Sequence, residues 1–157
     1  MPRIELITEI RATPERCFDL SRDLDLHQRS MSHTAERAVA GRTSGKIELG
    51  EHVTWRGRHF GVMHEHTSLI SAFDRPRHFR DEMTRGRFKR FVHDHHFEAT
   101  PFGTRMRDVL EFKSPLGPLG KAVDALVLAR YLTRLLQKRN AIVQQAAESA
   151  VDSGGAS

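Results

Sequence analysis

The chain has one cysteine, one tryptophan and one tyrosine in 157 residues. A lone cysteine, Cys17, excludes an intramolecular disulfide and makes a reducing cytoplasm the expected compartment. No stretch approaches the ~18 apolar residues of a spanning helix, so stable membrane insertion is not expected. The opening Met-Pro-Arg-Ile-Glu-Leu-Ile alternates and carries a glutamate, unlike a signal peptide. Formal charge is +5, yet acidic residues are interleaved and no block of about five like charges forms, which argues against a nucleic-acid partner. A phosphate-binding loop is missing as well. The segment GRTSGK (Gly41 to Lys46) ends in Gly-Lys but lacks the spacing and the strand-loop-helix setting, and reads as a hairpin loop. No serine sits in a nucleophile elbow. Cys17, beside Phe18 in a short helical stretch, reads as a packed thiol.

What the chain does have is one long helical pattern at its C-terminus, from Pro118 to about Ser149. Pro118 fits a first helical turn, and the breakers Ser114-Pro115-Leu116-Gly117 precede it. About thirty residues at ~1.5 Å rise would reach ~45 Å. Its apolar face switches sides. Leu119, Ala122, Val123, Leu126 and Val127 cluster on one side; Leu132, Leu135, Leu136, Ile142, Val143 and Ala146 cluster nearly opposite. A bend or break near Leu128 to Tyr131 is the first expectation, and a first half lying over a cavity or partner is the second. Arg130, Arg134 and Lys138 form a basic ridge that reads as a solvated face.

Upstream, the pattern is one strand, two short helices and six strands. Arg3 to Ile10 alternates as a strand, with Ile7 expected to be partly covered. Thr13-Pro14-Glu15 starts a helix by capping, and Asp23 caps a second. Strands are expected over His33 to Ala40, Glu51 to Phe60, Val62 to Phe73, His78 to Thr84, Phe88 to Ala99 and Thr104 to Lys113, separated by turn-forming residues. The fourth strand alternates poorly, and its inner face is not assignable. The fold class is α+β in the order β-α-α-β6-α, with residues 1–150 as one domain and 151–157 as a disordered tail.

This order, with the segments ATPERCFDLSRDLDLH, GEHVTWRGRHFG, FDRPRHFRDEM, RFKRFVHDHHFE, GTRMRDVLEF and PLGPLGKAVDALVLARYL, resembles the Bet v 1/START-like (SRPBCC) superfamily, in particular its bacterial single-domain polyketide cyclase/dehydrase-like members. The resemblance spans roughly residues 3 to 148. It implies a helix-grip fold, a curved seven-stranded antiparallel sheet wrapped around the C-terminal helix with a ligand cavity between. It lends no universal catalytic motif, and no cofactor is expected. Fold alone does not give activity.

Hairpin geometry proposes the cavity wall. If the Thr100 to Gly103 turn pairs Phe97 with Met106, then His95 faces Asp108, His93 faces Leu110 and Phe91 faces Phe112. A similar register about Gly86 sets Phe79 across from His93 and Asp81 across from Phe91. The candidate binding residues are then Trp55, Phe79, Asp81, Phe91, His93, His95, Phe97, Met106, Asp108, Leu110 and Phe112, joined by Leu119, Val123 and Leu126 from the helix. That is an apolar, aromatic wall with a few polar groups, the composition of a small-molecule site. Within it, His95 and Asp108 are the candidate proton-transfer pair: a carboxylate on an apolar face needs a partner, and it would fix the tautomer of an opposing imidazole. Anchoring a ligand's polar end is the alternative role.

The chain carries 10 histidines. His93-x-His95 with Asp108 or Asp81 has the composition of a two-histidine, one-carboxylate metal site, and His64-x-His66 offers a second pair. Residues i and i+2 on a strand sit ~6.5 Å apart, and the neighbours are aromatic, so no metal is expected. The leading function is binding of a hydrophobic small molecule such as a lipid, polyketide or quinone. The alternatives are a polyketide or lipid cyclase or dehydratase, and a protein-interaction module. A monomer or homodimer is expected.

Overall fold

The computed structural model describes residues 1–153. Strand β1 (Arg3–Ile10) leads into helix α1 (Pro14–Ser21) and helix α2 (Leu24–Ser30), and a single 3-10 turn spans Ser32–Thr34. Strands β2 (Arg37–Gly41), β3 (His52–His59), β4 (Val62–Asp74), β5 (His78–Arg85), β6 (Arg90–Thr100) and β7 (Gly103–Lys113) follow. They form one antiparallel curved sheet in the order β1-β7-β6-β5-β4-β3-β2. Helix α3 (Gly117–Val123), a π-helical turn (Asp124–Leu128) and helix α4 (Ala129–Ser153) close the described chain. The expected tail begins inside α4, and its residues 154–157 lie outside the described residues.

Capping works as the sequence implies. The Thr13 hydroxyl accepts from the Arg16 amide, with Pro14 in the first turn. Asp23 accepts from the Asp25 and Leu26 amides at 2.9 and 3.1 Å. Cys17 and Phe18 of α1 are fully buried. Phe18 meets Phe73, Phe79 and Phe97 edge-on, with ring centroids 5.2 to 5.4 Å apart. Together with Ile10, Met106, Val143 and Ala147 these residues make the main core. A second core joins Ile4, Leu110, Phe112 and Leu136.

Three expectations need correction, and one open point is settled. The second strand starts at Arg37, not His33, because Ser32–Thr34 coils and Ala35 turns left-handed at φ 54. Ile7 is 58% exposed on β1 instead of partly covered. The sixth strand starts at Arg90, so the Gly86 loop is longer than a tight reversal and the register moves by two: Phe79 opposes His95, and Asp81 opposes His93. The β6–β7 hairpin keeps the expected pairs, including His95 with Asp108 and Phe97 with Met106. The fourth strand's irregular pattern has a cause: β4 slips register between Thr67 and Ser68 and again between Ile70 and Ala72. A bulge inserts a residue and breaks strict alternation.

The switch of faces in the C-terminal helix is resolved by the π turn. One extra residue per turn rotates everything after it relative to everything before. The turn lies at Asp124–Leu128, just ahead of the expected bend. After it, Leu136, Val143 and Ala147 bury against the sheet and α1, while Leu119 before it and Leu126 within it are 73% and 66% exposed. Arg130, Arg134 and Lys138 are exposed, as a solvated ridge should be.

Candidate functional site

Between the concave sheet face, α2, the π turn and α4 lies a cavity of about 610 Å³. That is within the range of small-molecule pockets, roughly 300–1,000 Å³. Its wall is mainly apolar. Trp55, Phe79, Phe91, Leu110 and Val123 line it, with Ile70, Leu132 and Leu136 beside them. The inner face of β4 is also defined, since His64, His66, Ser68 and Ile70 line the same space. Phe60, Leu116 and Val127 both line the cavity and are 49 to 60% exposed, which marks them as its mouth.

Several expected wall residues lie elsewhere. Phe97 and Met106 sit behind the wall in the core with Phe18. Phe112 is fully buried in the second core. Asp108 has no exposed surface and lies beneath His93 and His95, out of direct contact with the cavity. Leu119 and Leu126 face away, because the π turn rotates their face outward.

The polar floor of the cavity comes from β5, β6 and β7. Asp81, His93 and His95 line it directly. The two imidazoles are 3.8 Å apart between centroids. They lie between two carboxylates. His93 Nε2 is 2.9 Å from Asp108 Oδ1, and His95 Nε2 is 2.8 Å from Asp81 Oδ2. The expected His95–Asp108 pair is therefore part of a four-residue cluster in which Asp108 serves both rings. Phe79 stacks on His95 at 4.1 Å.

Helix α4 supports this floor from below. Asn140 Nδ2 donates to Asp108 Oδ2 at 2.8 Å, and Arg139 approaches Asp108 Oδ1 at 3.5 Å. Arg139 also donates to the Ser21 carbonyl at 2.9 Å. Both residues are buried. They were not singled out from sequence, although the signal exists: Leu132, Leu136, Val143 and Ala147 trace the inward stripe of α4, and Arg139 and Asn140 fill its missing turn. Burial alone would raise the Asp108 carboxyl, but the imidazoles and Arg139 more than offset it and hold it well below the usual carboxylate range. Asp81 is lowered for the same reason: the two histidines outweigh its burial. Burial and the neighbouring His95 depress His93 despite the carboxylate beside it.

A second polar cluster sits toward the mouth. Tyr131 OH lies 2.6 Å from His59 Nδ1. Glu36 faces His59 Nε2 at 3.7 Å and meets His27 Nε2 at 3.1 Å. Burial would raise the Glu36 carboxyl, yet the two histidines bring it down from 4.5 to about 2. All four residues line the cavity. The adjacent β3–β4 hairpin turns through Phe60 and Gly61, at φ 52 and 74. Such a two-residue turn requires positive φ at both positions, which is costly for a bulky residue. Phe60 packs on Tyr131 at 4.5 Å, a contact that holds the strained turn against α4. This cluster was not foreseen, since its members come from four separate elements.

Two groups bring metal-ligating atoms together. Asp81, His93 and His95 place one such atom each within 4.8 Å of one another, and so do His78, Asp94 and His96 on the outer face. In the second group Arg80 already donates to both Asp94 oxygens at 2.8 and 2.9 Å.

Comparisons with known proteins place this geometry. A family model described as "Polyketide cyclase / dehydrase and lipid transport" matches residues 1–148. No curated protein matches the chain. Among solved structures, a protein of Thermus thermophilus is 20% identical with a TM-score of 0.71, covering 94% of this chain and 100% of its own. A Chromobacterium violaceum protein is 12% identical with a TM-score of 0.71, covering 93% and 97%. The major latex-like protein 151 of Panax ginseng is 14% identical with a TM-score of 0.68, covering 93% and 97%. At these identities the likeness is one of fold. Among the described residues no helix is long and apolar enough to cross a membrane.

Proposed function

The chain belongs to the polyketide cyclase / dehydrase and lipid transport family, and from that membership we propose that it binds a hydrophobic small molecule, such as a lipid, polyketide or quinone, between sheet and helix. One observation carries this reading: a mainly apolar cavity of about 610 Å³ with a cluster of polar groups at its floor and another at its mouth. The walls, with Trp55, Phe79, Phe91 and Leu110, remove apolar surface from water at roughly 25 cal/mol per Å². The floor histidines or the mouth tyrosine then fix the ligand's polar end. The protein acts as one domain over residues 1–150, in the cytoplasm, as a monomer or homodimer.

The test is native mass spectrometry of protein purified from expressing cells, followed by denaturing extraction of the bound mass. Phe91 lines the cavity and Phe97 lies behind it. Phe91→Ala should therefore release the bound mass while the protein stays folded. Phe97→Ala should cost stability, about 3–5 kcal/mol as for other buried phenylalanines, without selecting against the ligand. Equal retention in Phe91→Ala and wild type would remove this reading.

A second reading, acid–base turnover of the cyclase or dehydratase type, is favoured by the Glu36–His59–Tyr131 chain. A carboxylate, an imidazole and a phenol in series can take a proton from, or return one to, a substrate in the cavity. Turnover without the Tyr131 hydroxyl, in Tyr131→Phe, would exclude that chain as the proton carrier.

A further inference from the structure

We propose that Asp81, His93 and His95 bind a divalent first-row transition metal at the floor of the cavity, with open coordination positions facing the ligand. The composition of the site is two imidazoles and one carboxylate, which suits zinc, iron, cobalt or nickel and is a poor match for the all-oxygen preference of calcium or magnesium. The spacing objection from sequence concerned the backbone. Residues two apart on a strand are ~6.5 Å apart at Cα, but here the rings converge, and their ligating atoms and Asp81's lie within 4.8 Å of one another.

The proton positions carry the argument further. Each imidazole turns one nitrogen toward Asp81 and the other toward Asp108. His93 Nδ1 is 3.9 Å and His95 Nε2 is 2.8 Å from Asp81 Oδ2. On the far side, His93 Nε2 and His95 Nδ1 are 2.9 and 3.1 Å from Asp108 Oδ1. Despite that distance, His95 Nδ1 has no aligned hydrogen bond, and among the described residues it is the one buried side-chain polar atom left so. If a neutral His95 donates from Nε2 to Asp81, its Nδ1 is left buried and unpaired, with a lone pair 3.1 Å from the Asp108 carboxylate. A metal removes the conflict. It accepts the lone pairs of His93 Nδ1 and His95 Nε2 together with Asp81 Oδ2. Both imidazoles then carry their single proton on the far nitrogen: His93 donates to Asp108 at 2.9 Å, and a turn of the His95 ring would align its Nδ1 on the same oxygen, 3.1 Å away. This is the carboxylate–histidine–metal arrangement by which an outer carboxylate fixes the tautomer and raises ligand basicity.

Asp108 is built for that outer role. It is fully buried, and Asn140 and Arg139 anchor it within 3.1 Å of a nitrogen of each ring. Asp81, by contrast, keeps 22% of its side chain exposed, toward the cavity. The metal's remaining positions therefore open on the apolar space. They would take an oxygen donor, a hydroxyl or carbonyl, from the ligand's polar end.

The test uses full-length protein stripped of metal by chelator and titrated with Zn²⁺ by calorimetry, with Co²⁺ absorption as a second readout. The expected result is one equivalent of metal per chain. Asp81→Asn should abolish it while the fold, checked by circular dichroism, persists. Asp108→Asn should weaken it about tenfold to a hundredfold. A His78→Ala/His96→Ala variant, which removes the outer-face cluster, should bind as wild type does. Absence of binding to folded wild-type protein overturns the proposal. So does binding that survives Asp81→Asn but is lost with His78 and His96. Uptake of the hydrophobic ligand is measured separately on stripped protein, so failure here is distinct from failure of the binding function.

Discussion

The two ends of the cavity use the same parts with different support. Each has a carboxylate, imidazoles and a side chain from α4. At the floor these are Asp81, Asp108, His93, His95 and Arg139; at the mouth they are Glu36, His27, His59 and Tyr131. The floor is set by the in-register pairing of three adjacent strands, where His93 and His95 oppose Leu110 and Asp108. The mouth joins α2, the chain after the 3-10 turn, the end of β3 and the first turn of α4 beyond the π turn. It also carries a strained Phe60 and the exposed apolar residues Leu116 and Val127. A cluster on central strands is fixed by the sheet that holds the core. A cluster on reversals and helix ends is held by a few contacts, and opens locally at lower free energy. The floor thus fits a rigid recognition point, and the mouth fits the entry.

The largest effect is expected at the floor. Asp108→Ala leaves Arg139 charged and buried, with Asn140 and His93 without their shared acceptor. Breaking a buried ion pair by deleting one partner costs about 3–5 kcal/mol. Urea denaturation should show a loss of that size, and a loss under about 1 kcal/mol would mean that water reaches the floor and repairs it.

The mouth responds to acid. Glu36 is shifted from 4.5 to about 2 on folding. A carboxyl lowered in the folded state contributes stability that is fully present above its unfolded value. That contribution is lost as pH falls through the folded value. Wild-type stability should therefore decline between about pH 4.5 and 2 through Glu36. Glu36→Gln should start less stable at pH 7 and lose less over that interval. Thermal unfolding across the range measures both; parallel curves for the two proteins would remove Glu36 as a source of acid sensitivity.

The contrast between floor and mouth also explains what was legible in the sequence. Strand alternation and one hairpin sum carried the floor: Phe91, His93, His95 and Phe97 against Phe112, Leu110, Asp108 and Met106. Alternation cannot say how deep a residue lies, so it puts Phe97, Met106 and Phe112 on a wall that they support from behind. Loop length was the weak point at Gly86, where starting β6 two residues later moved Asp81 from Phe91 to His93. That shift brings Asp81 beside both histidines. The helix pattern revealed two faces, but periodicity does not distinguish a kink from a π turn, and only the turn sets Leu119 and Leu126 outward. Glu36, His59 and Tyr131 have no sequence relation at all. Tertiary packing alone joins them.

Tyr131→Phe should have a smaller effect. It removes a contact of 2.6 Å to His59 in a half-buried setting. A single hydrogen bond contributes about 1 kcal/mol net, and the ring's packing against Phe60 remains. Urea midpoints should shift accordingly. A loss above about 3 kcal/mol, twice the upper end of that range, would show that the hydroxyl organises the whole mouth, including the strained hairpin.

The smallest effect separates the two halves of the C-terminal helix. Leu126, in the π turn, is 66% exposed, whereas Leu136, two turns into α4, is 6% exposed. Surface substitutions away from special features usually change stability by less than about 0.5 kcal/mol. Leu126→Asp should fall within that range and leave the bound mass in native spectra unchanged, since the side chain points away from the cavity. Leu136→Asp should unfold the protein, because it buries a charge with no partner between helix and sheet. If Leu126→Asp instead unfolds the chain or empties the cavity, the first half of the helix must close onto the mouth in solution. The mouth would then be a lid, and the difference between the two ends of the cavity would lie in motion as well as in support.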